Sequence, residues 1–304
     1  MKLIVMGQQA FGKDCLARLL DAGTDQVVAV YCEPDCGDKI DPIKEFAQEQ
    51  GLPVEQPADF KDQAVLDKLA GYGADLMVMA FVNIFVPEAA RDTPKHGSIC
   101  FHPSLLPLHR GPSAVNWPII MGATKSGYSW FYPSDGLDEG DSLLQWECDI
   151  GPDDTVIDLY FKKIYPSAVD SVLQVVDAFR DGNPPHIVPD EALATYERRC
   201  TKKHARIDWH KPVGQVYNLI RGTNPAPGAW TTLNGTEVQV YDCARVPGDG
   251  VSGRIVDISD DGVMVQLIGG RILIKRVRPA GEGKISAADW ASAAGLNIKD
   301  ELGT

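Results

Sequence analysis

The sequence predicts an α/β protein in two parts: a Rossmann-like, mostly parallel sheet with helices on both faces, then a small C-terminal β-barrel of OB-like type. Two observations carry this. In the first half, short apolar runs alternate with segments of helical spacing, the βαβ arithmetic of a parallel sheet. In the second half the helical spacing gives way to short apolar runs parted by Gly and Asp turns, as at Asp260-Asp261-Gly262 and Gly269-Gly270. A chain of 304 residues accommodates two domains. The change of pattern places them at 1–205 and 206–304.

Each element has its own signal. Residues 3–6 are continuously apolar, as a strand buried on both faces must be. Residues 11–20 have helical spacing, with Leu16, Leu19 and Leu20 on one side. Residues 27–31 read as a second strand. A helix follows over 42–50, with Asp41 as its cap before a first-turn proline. Residues 62–69 read as another helix, and 76–80 and 98–101 as two further strands. A helix over 167–180 stops at Asp181-Gly182-Asn183-Pro184-Pro185. The polar stretch 189–208 reads as irregular, and after 212–220 come strands at 237–241, 253–258, 263–267 and 271–277.

Composition excludes several classes. Apolar residues make up 44% of the chain, so a sizeable core is expected. The net charge of -13 opposes binding to a nucleic-acid backbone, which depends on Lys/Arg contacts and counterion release. No run approaches the ~18 apolar residues of a membrane span, and the opening run up to Gly7 is too short for a signal peptide. Seven scattered cysteines do not form a disulfide framework. Cys32 and Cys36 lack a second pair to complete a zinc site and read as free thiols. A cytoplasmic, reducing compartment fits these features.

Three segments compete for the chemistry. Gly7-Gln8-Gln9-Ala10-Phe11-Gly12-Lys13-Asp14 nearly matches a phosphate-cradling loop, but Asp14 stands where Ser or Thr would hold magnesium. We read it as a tight strand-to-helix turn. The segment His96-Gly97-Ser98-Ile99-Cys100-Phe101-His102-Pro103 puts Cys100 and His102 on one strand face, at the carboxyl end where open α/β sheets bind ligands. A histidine there is more often packed than catalytic. Asp135-Gly136-Leu137-Asp138-Glu139-Gly140-Asp141 is a tight acidic loop. It does not follow the EF-hand order, and no metal is expected. A carboxylate from it suits the task of orienting a histidine.

Together these segments carry a resemblance. His102-Pro103-Ser104-Leu105-Leu106-Pro107 with Arg110-Gly111, then Leu137-Asp138-Glu139-Gly140-Asp141, resembles the folate-dependent formyltransferase family. That family includes methionyl-tRNA formyltransferase, sugar-amine formyltransferases and formyltetrahydrofolate hydrolases. The likeness runs through Phe81-Val82-Asn83-Ile84-Phe85-Val86-Pro87 to Arg221-Gly222 and Pro227-Gly228-Ala229-Trp230. Gly97-Ser98-Ile99, Pro112-Ser113-Ala114-Val115-Asn116-Trp117 and Pro152-Asp153-Asp154-Thr155 look most like the N-terminal hydrolase domain of 10-formyltetrahydrofolate dehydrogenase. That protein's aldehyde dehydrogenase and carrier domains are absent from this sequence, so no NAD(P) is expected.

The resemblance implies 10-formyltetrahydrofolate as formyl donor, His102 as general base and Asp141 as the carboxylate that orients it or positions a water. It implies a folate cleft between 81–87 and 135–141, built with Phe81, Ile84, Phe85, Val86, Arg110, Gly111, Asp135, Leu137 and Asp138. One departure matters: most members place Asn two residues before the histidine, and here Cys100 stands there. The departure favours the hydrolase-like branch, with water as acceptor. Transfer to an amine is the alternative, a nucleotide-sugar amine ahead of methionyl-tRNA, and a catalytically silent folate-binding module is a third reading. A Cys100–His102 nucleophile pair is disfavoured, since neighbours at i and i+2 on a strand rarely reach hydrogen-bond distance.

Overall fold

The computed structural model describes residues 1–37 and 39–303. The first sheet has seven strands: β1 (Lys2–Gly7), β2 (Gln26–Tyr31), β3 (Val54–Glu55), β4 (Leu76–Ala80), β5 (Ser98–His102), β6 (Lys125–Phe131) and β7 (Ser142–Asp149). Their order is β3-β2-β1-β4-β5-β6-β7. The pairs β1/β2, β1/β4, β2/β3 and β4/β5 are parallel, while β5/β6 is antiparallel. Helices connect the strands: α1 (Gln9–Ala22), α2 (Pro42–Glu49), α3 (Gln63–Gly71), the short α4 (Glu88–Arg91), α5 (Asn116–Met121) and α6 (Tyr165–Arg180).

The expected causes operate. β1 and β4 are buried almost throughout, as their continuous apolar runs require. Asp41 caps α2 by accepting from the Ile43 N–H, and Asp62 caps α3 through the Ala64 N–H. The Gly7–Asp14 segment is a packing turn: a Cβ on Gly7 would lie 2.4 Å from the Ala80 carbonyl oxygen. Asp14 accepts a hydrogen bond from the Tyr165 hydroxyl at 2.6 Å, so the odd carboxylate ties α1 to α6.

The second sheet is antiparallel in every recorded pair. It comprises β8 (Ala229–Leu233), β9 (Thr236–Val246), β10 (Ile255–Ser259), β11 (Gly262–Leu267), β12 (Gly270–Pro279) and β13 (Ile285–Ser286), in the order β10-β11-β12-β9-β8 with β13 on β12. Helix α7 (Val213–Gly222) packs on β9 and α8 (Ala287–Ala294) on β11 and β12. Val216 and Ile220 of α7, Trp290 of α8, and Val240, Val263, Ile272 and Ile274 of the strands share one core. Each such side chain contributes about 1.5–3 kcal/mol by leaving water.

By contact density the chain forms two units: Met1–Gly111, Gly127–Cys148 and Lys163–Tyr196 make unit 1, and Pro112–Ser126, Asp149–Lys162 and Glu197–Thr304 make unit 2. No helix among the described residues is long and apolar enough to cross a membrane. None of the seven cysteines forms a disulfide among the described residues.

Candidate active site

His102 is the last residue of β5, pairs with Ser129 of β6, and is 6% exposed. Pro103 follows and ends the strand, leaving the imidazole where strand gives way to loop. The His102 Nε2–H donates to the His109 carbonyl at 3.0 Å; a carbonyl only accepts, which fixes that nitrogen as the donor. On the other side Nδ1 lies 3.5 Å from Asp138 Oδ1.

The loop after β5 is wired from beneath. The buried Ser129 hydroxyl donates to the Ser104 carbonyl at 2.8 Å and accepts from the Leu106 N–H at 3.0 Å. Gln145 Nε2 donates to the Leu106 carbonyl at 2.7 Å. His109 has φ +58° and donates its N–H to Thr195 Oγ1 at 2.8 Å. The carbonyl that holds the His102 ring is therefore itself fixed. Asp138, at φ +52°, accepts the Gly111 N–H on Oδ2 at 2.8 Å and so ties the acidic loop to this one.

The acidic loop closes at Gly140. Its φ is +124°, and a Cβ there would lie 1.8 Å from the Tyr132 carbonyl oxygen, so only glycine fits. The Asp141 carbonyl accepts the Tyr132 N–H at 2.9 Å, while its carboxylate Oδ2 lies 3.6 Å from His186 Nδ1. The His186 ring stacks on Tyr132, centroids 4.1 Å apart and planes 4° from parallel. Two backbone bonds between Ser142 and Ile187, at 2.9 and 2.8 Å, keep His186 at that place. Burial, then the Asp141 charge, push the Tyr132 phenol up to about 12.

The 81–87 loop meets the acidic loop through Arg91. This buried guanidinium donates to the Val86 carbonyl at 3.2 Å, to the Ser134 carbonyl, and to Asp135 Oδ1 at 2.7 Å. Of the apolar residues expected in the cleft, Phe85 and Leu137 stand 68% and 59% exposed. Phe81 and Ile84 are half-buried, and Val86 is buried. Phe81 holds φ +66°, a conformation uncommon for an aromatic residue. Arg110 is committed elsewhere: its guanidinium, wholly buried, pairs with both Glu191 oxygens at 2.7 and 2.8 Å and donates to the Tyr196 hydroxyl oxygen at 2.6 Å.

Cys100 shares the sheet with His102 but makes only a 3.7 Å contact to the Phe101 carbonyl. Burial, then the Asp138 charge, push its thiol well above the ordinary range. A thiol that keeps its proton is a poor nucleophile.

The structure thus brings His102, Cys100, Asp138, Arg110 and Gly111 together around one loop. It places Asp141 against His186 and Asp135 against Arg91. Arg91, His186 and Glu191 were not expected in this role. Arg91 sits in a four-residue helix with no motif around it, and His186 lies just past a proline stop, so neither offered a local signal.

Comparison with known proteins gives the family. The formyl transferase family matches residues 1–168, and the formyl transferase C-terminal domain matches 199–295. The mouse mitochondrial 10-formyltetrahydrofolate dehydrogenase is 36% identical over 99% of this chain and 34% of its own length. The methionyl-tRNA formyltransferase of Fusobacterium nucleatum is 32% identical over 99% of this chain and its whole length. HypX from Aquifex aeolicus, solved with tetrahydrofolic acid, shares the fold at a TM-score of 0.65 and 18% identity, over 99% of this chain and 48% of HypX. The chain belongs to the formyl transferase family. It spans about a third of the mouse dehydrogenase's length.

Proposed function

We propose that the chain moves the formyl group of 10-formyltetrahydrofolate to water, releasing formate and tetrahydrofolate. Residues 1–205 supply the folate site and the chemistry, with 206–304 as a separate C-terminal domain. Water attacks the formyl carbon and loses a proton to His102. Nε2 is engaged with the His109 carbonyl, so Nδ1 is the ring atom left to take that proton. Asp138 Oδ1, at 3.5 Å, stabilises the charge that results. The tetrahedral oxyanion then collapses, the C–N10 bond breaks, and His102 returns the proton to N10. Asp141, on the adjacent loop, positions the attacking water. The exposed Phe85 and Leu137 supply apolar surface for the pterin, and backbone groups of the two loops read its polar edge.

The observation that carries the choice of water is Cys100. Its thiol is held un-ionised, and an un-ionised thiol is a weak donor and a weak acceptor. It offers an incoming amine nothing to align on. One observation favours the second reading, transfer to an amine: the full-length match to a methionyl-tRNA formyltransferase. Incubating the purified protein with 10-formyltetrahydrofolate alone separates the two. Formate and tetrahydrofolate are expected in equal amounts without added amine. Release that needs an amine assigns transfer, and binding without release makes the chain a folate-binding module.

A further inference from the structure

Unit 2 holds a cleft of about 910 Å³ between α7, the far end of β9, β12 and the 151–155 turn. Three cations line it: Arg221, Arg245 and Lys275. Arg221 is 7% exposed, and burying a guanidinium is costly unless an anion meets it. Its Nε donates to Asn218 Oδ1 at 2.9 Å, and its Nη1 to the carbonyls of Gly151 and Asp154 at 3.1 and 2.9 Å. These acceptors are neutral, and among the described residues none bonds Nη2. Burial holds the Arg221 guanidinium below its ordinary value and the nearby Arg245 charge adds to that, while Tyr217, Asp154 and Asp153 act in the opposite direction. Arg245 lies over the Tyr217 ring, 4.9 Å from its centroid, and neither it nor Lys275 has a carboxylate partner among the described residues.

The chain carries 42 acidic residues against 29 basic ones, so partners are plentiful. Of the two carboxylates in the cleft, Asp153 accepts the Tyr217 hydroxyl at 2.7 Å, and Asp242 is exposed. Val213, Ile220 and Val246 give the cleft an apolar wall. The charge of the chain is also divided. Residues 197–304 hold 15 basic and 12 acidic side chains, and residues 1–196 hold 14 and 30.

We propose that this cleft is a binding site for a small organic anion bearing phosphate or carboxylate groups, gripped by Arg221, Arg245 and Lys275. Asp242 selects a ligand that also presents a hydroxyl or amine donor. The site lies within unit 2 and is independent of the formyl chemistry proposed above. A volume of this size suits a metabolite-sized ligand.

Calorimetric titration of the full chain with pyrophosphate and, separately, with citrate tests it. At least one is expected to bind with a dissociation constant below about 1 mM. The double variant R245A/K275A, altered only at exposed side chains, is expected to weaken that binding by at least tenfold with its circular dichroism unchanged. Pyrophosphate alone binding assigns a phosphate ligand, and citrate alone a carboxylate one. Binding of neither anion at 10 mM, or equal binding by the double variant, overturns the proposal.

Discussion

Three arginines of unit 1 and the cations of the unit 2 cleft differ in their partners, although elsewhere in unit 2 Lys162, Lys202 and Arg254 are paired with carboxylates. In unit 1, Arg91 is paired with Asp135, Arg110 with Glu191, and Arg180 with Asp25 and Asp177. In the unit 2 cleft, Arg221, Arg245 and Lys275 have no such partner among the described residues. Buried ion pairs contribute little net stability against an apolar replacement, because desolvation offsets the attraction. Their use in unit 1 is better understood as positioning. Arg91 joins the two loops of the candidate folate cleft, and Arg110 secures the strand-end loop on which His109 holds the His102 ring. The unmatched cations of the cleft are the ones that the proposed anion would meet.

The largest effects are expected at the centre of unit 1. His102→Ala should lower formate release at least ~10²-fold, the scale on which a positioned acid or base contributes. Folding should survive, because the loop is held by Ser129 and Gln145 rather than by the imidazole. Asp141→Asn should cost a similar factor if Asp141 positions the water. Asp138→Asn removes the charge nearest the ring, and Asn still accepts from the Gly111 N–H. A larger loss in kcat for Asp138→Asn than for Asp141→Asn would show that the charge beside the ring matters more than the positioning of the water. Normal turnover in either variant removes that residue from the mechanism.

A smaller effect is expected from breaking the loop staple. Arg91→Met removes three donor contacts, charge-assisted bonds that contribute about 1.5–3 kcal/mol each where they are buried. The melting temperature should fall. The KM for 10-formyltetrahydrofolate should rise more than kcat drops, since Arg91 joins the cleft's loops without touching the reacting atoms. A fall in kcat at constant KM would place Arg91 in the chemistry instead.

Much of this was legible before any coordinates. The apolar runs of β1, β2, β4 and β5, the cap Asp41, and the glycine turns of the second sheet all announce themselves locally. β6 did not, because Lys125, Ser126, Gly127 and Ser129 interrupt an apolar run, although the strand is buried over most of its length. β7 alternates exposed and half-buried residues over its second half, but directly follows the acidic loop, and the loop's charges masked its start. In the site, His102 and the acidic loop are contiguous motifs, whereas Arg91 to Asp135 and His186 to Asp141 are contacts across 44 and 45 positions. Such pairs have no signature in a single sequence. The resemblance names Asp141 as the carboxylate that orients His102 or positions a water; in the structure Asp138, at φ +52°, is the one beside the ring, and Asp141 lies against His186.

The smallest effect is expected at Cys100, and there the mechanism is most sharply tested. Losing a good oxyanion donor costs on the order of 10²–10³ in rate, and a neutral thiol is not a good donor. Cys100→Ala therefore removes little, and most of the activity should remain. The thiol's protonation points the same way. Burial and the Asp138 charge raise it, so the thiol keeps its proton through neutral and mildly alkaline pH. Iodoacetamide, which reacts with thiolates, should modify Cys100 slowly there. Under a covalent mechanism the reverse holds: Cys100→Ala abolishes turnover, and a formyl thioester on Cys100 accumulates and is seen by mass spectrometry. Cys100→Asn is the informative companion. It installs an amide with both a donor and an acceptor beside His102, a group on which an amine could align. If it gains formyl transfer to an added amine at the expense of formate release, Cys100 selects the acceptor. An unchanged ratio of the two products would show that the acceptor is chosen elsewhere in the cleft.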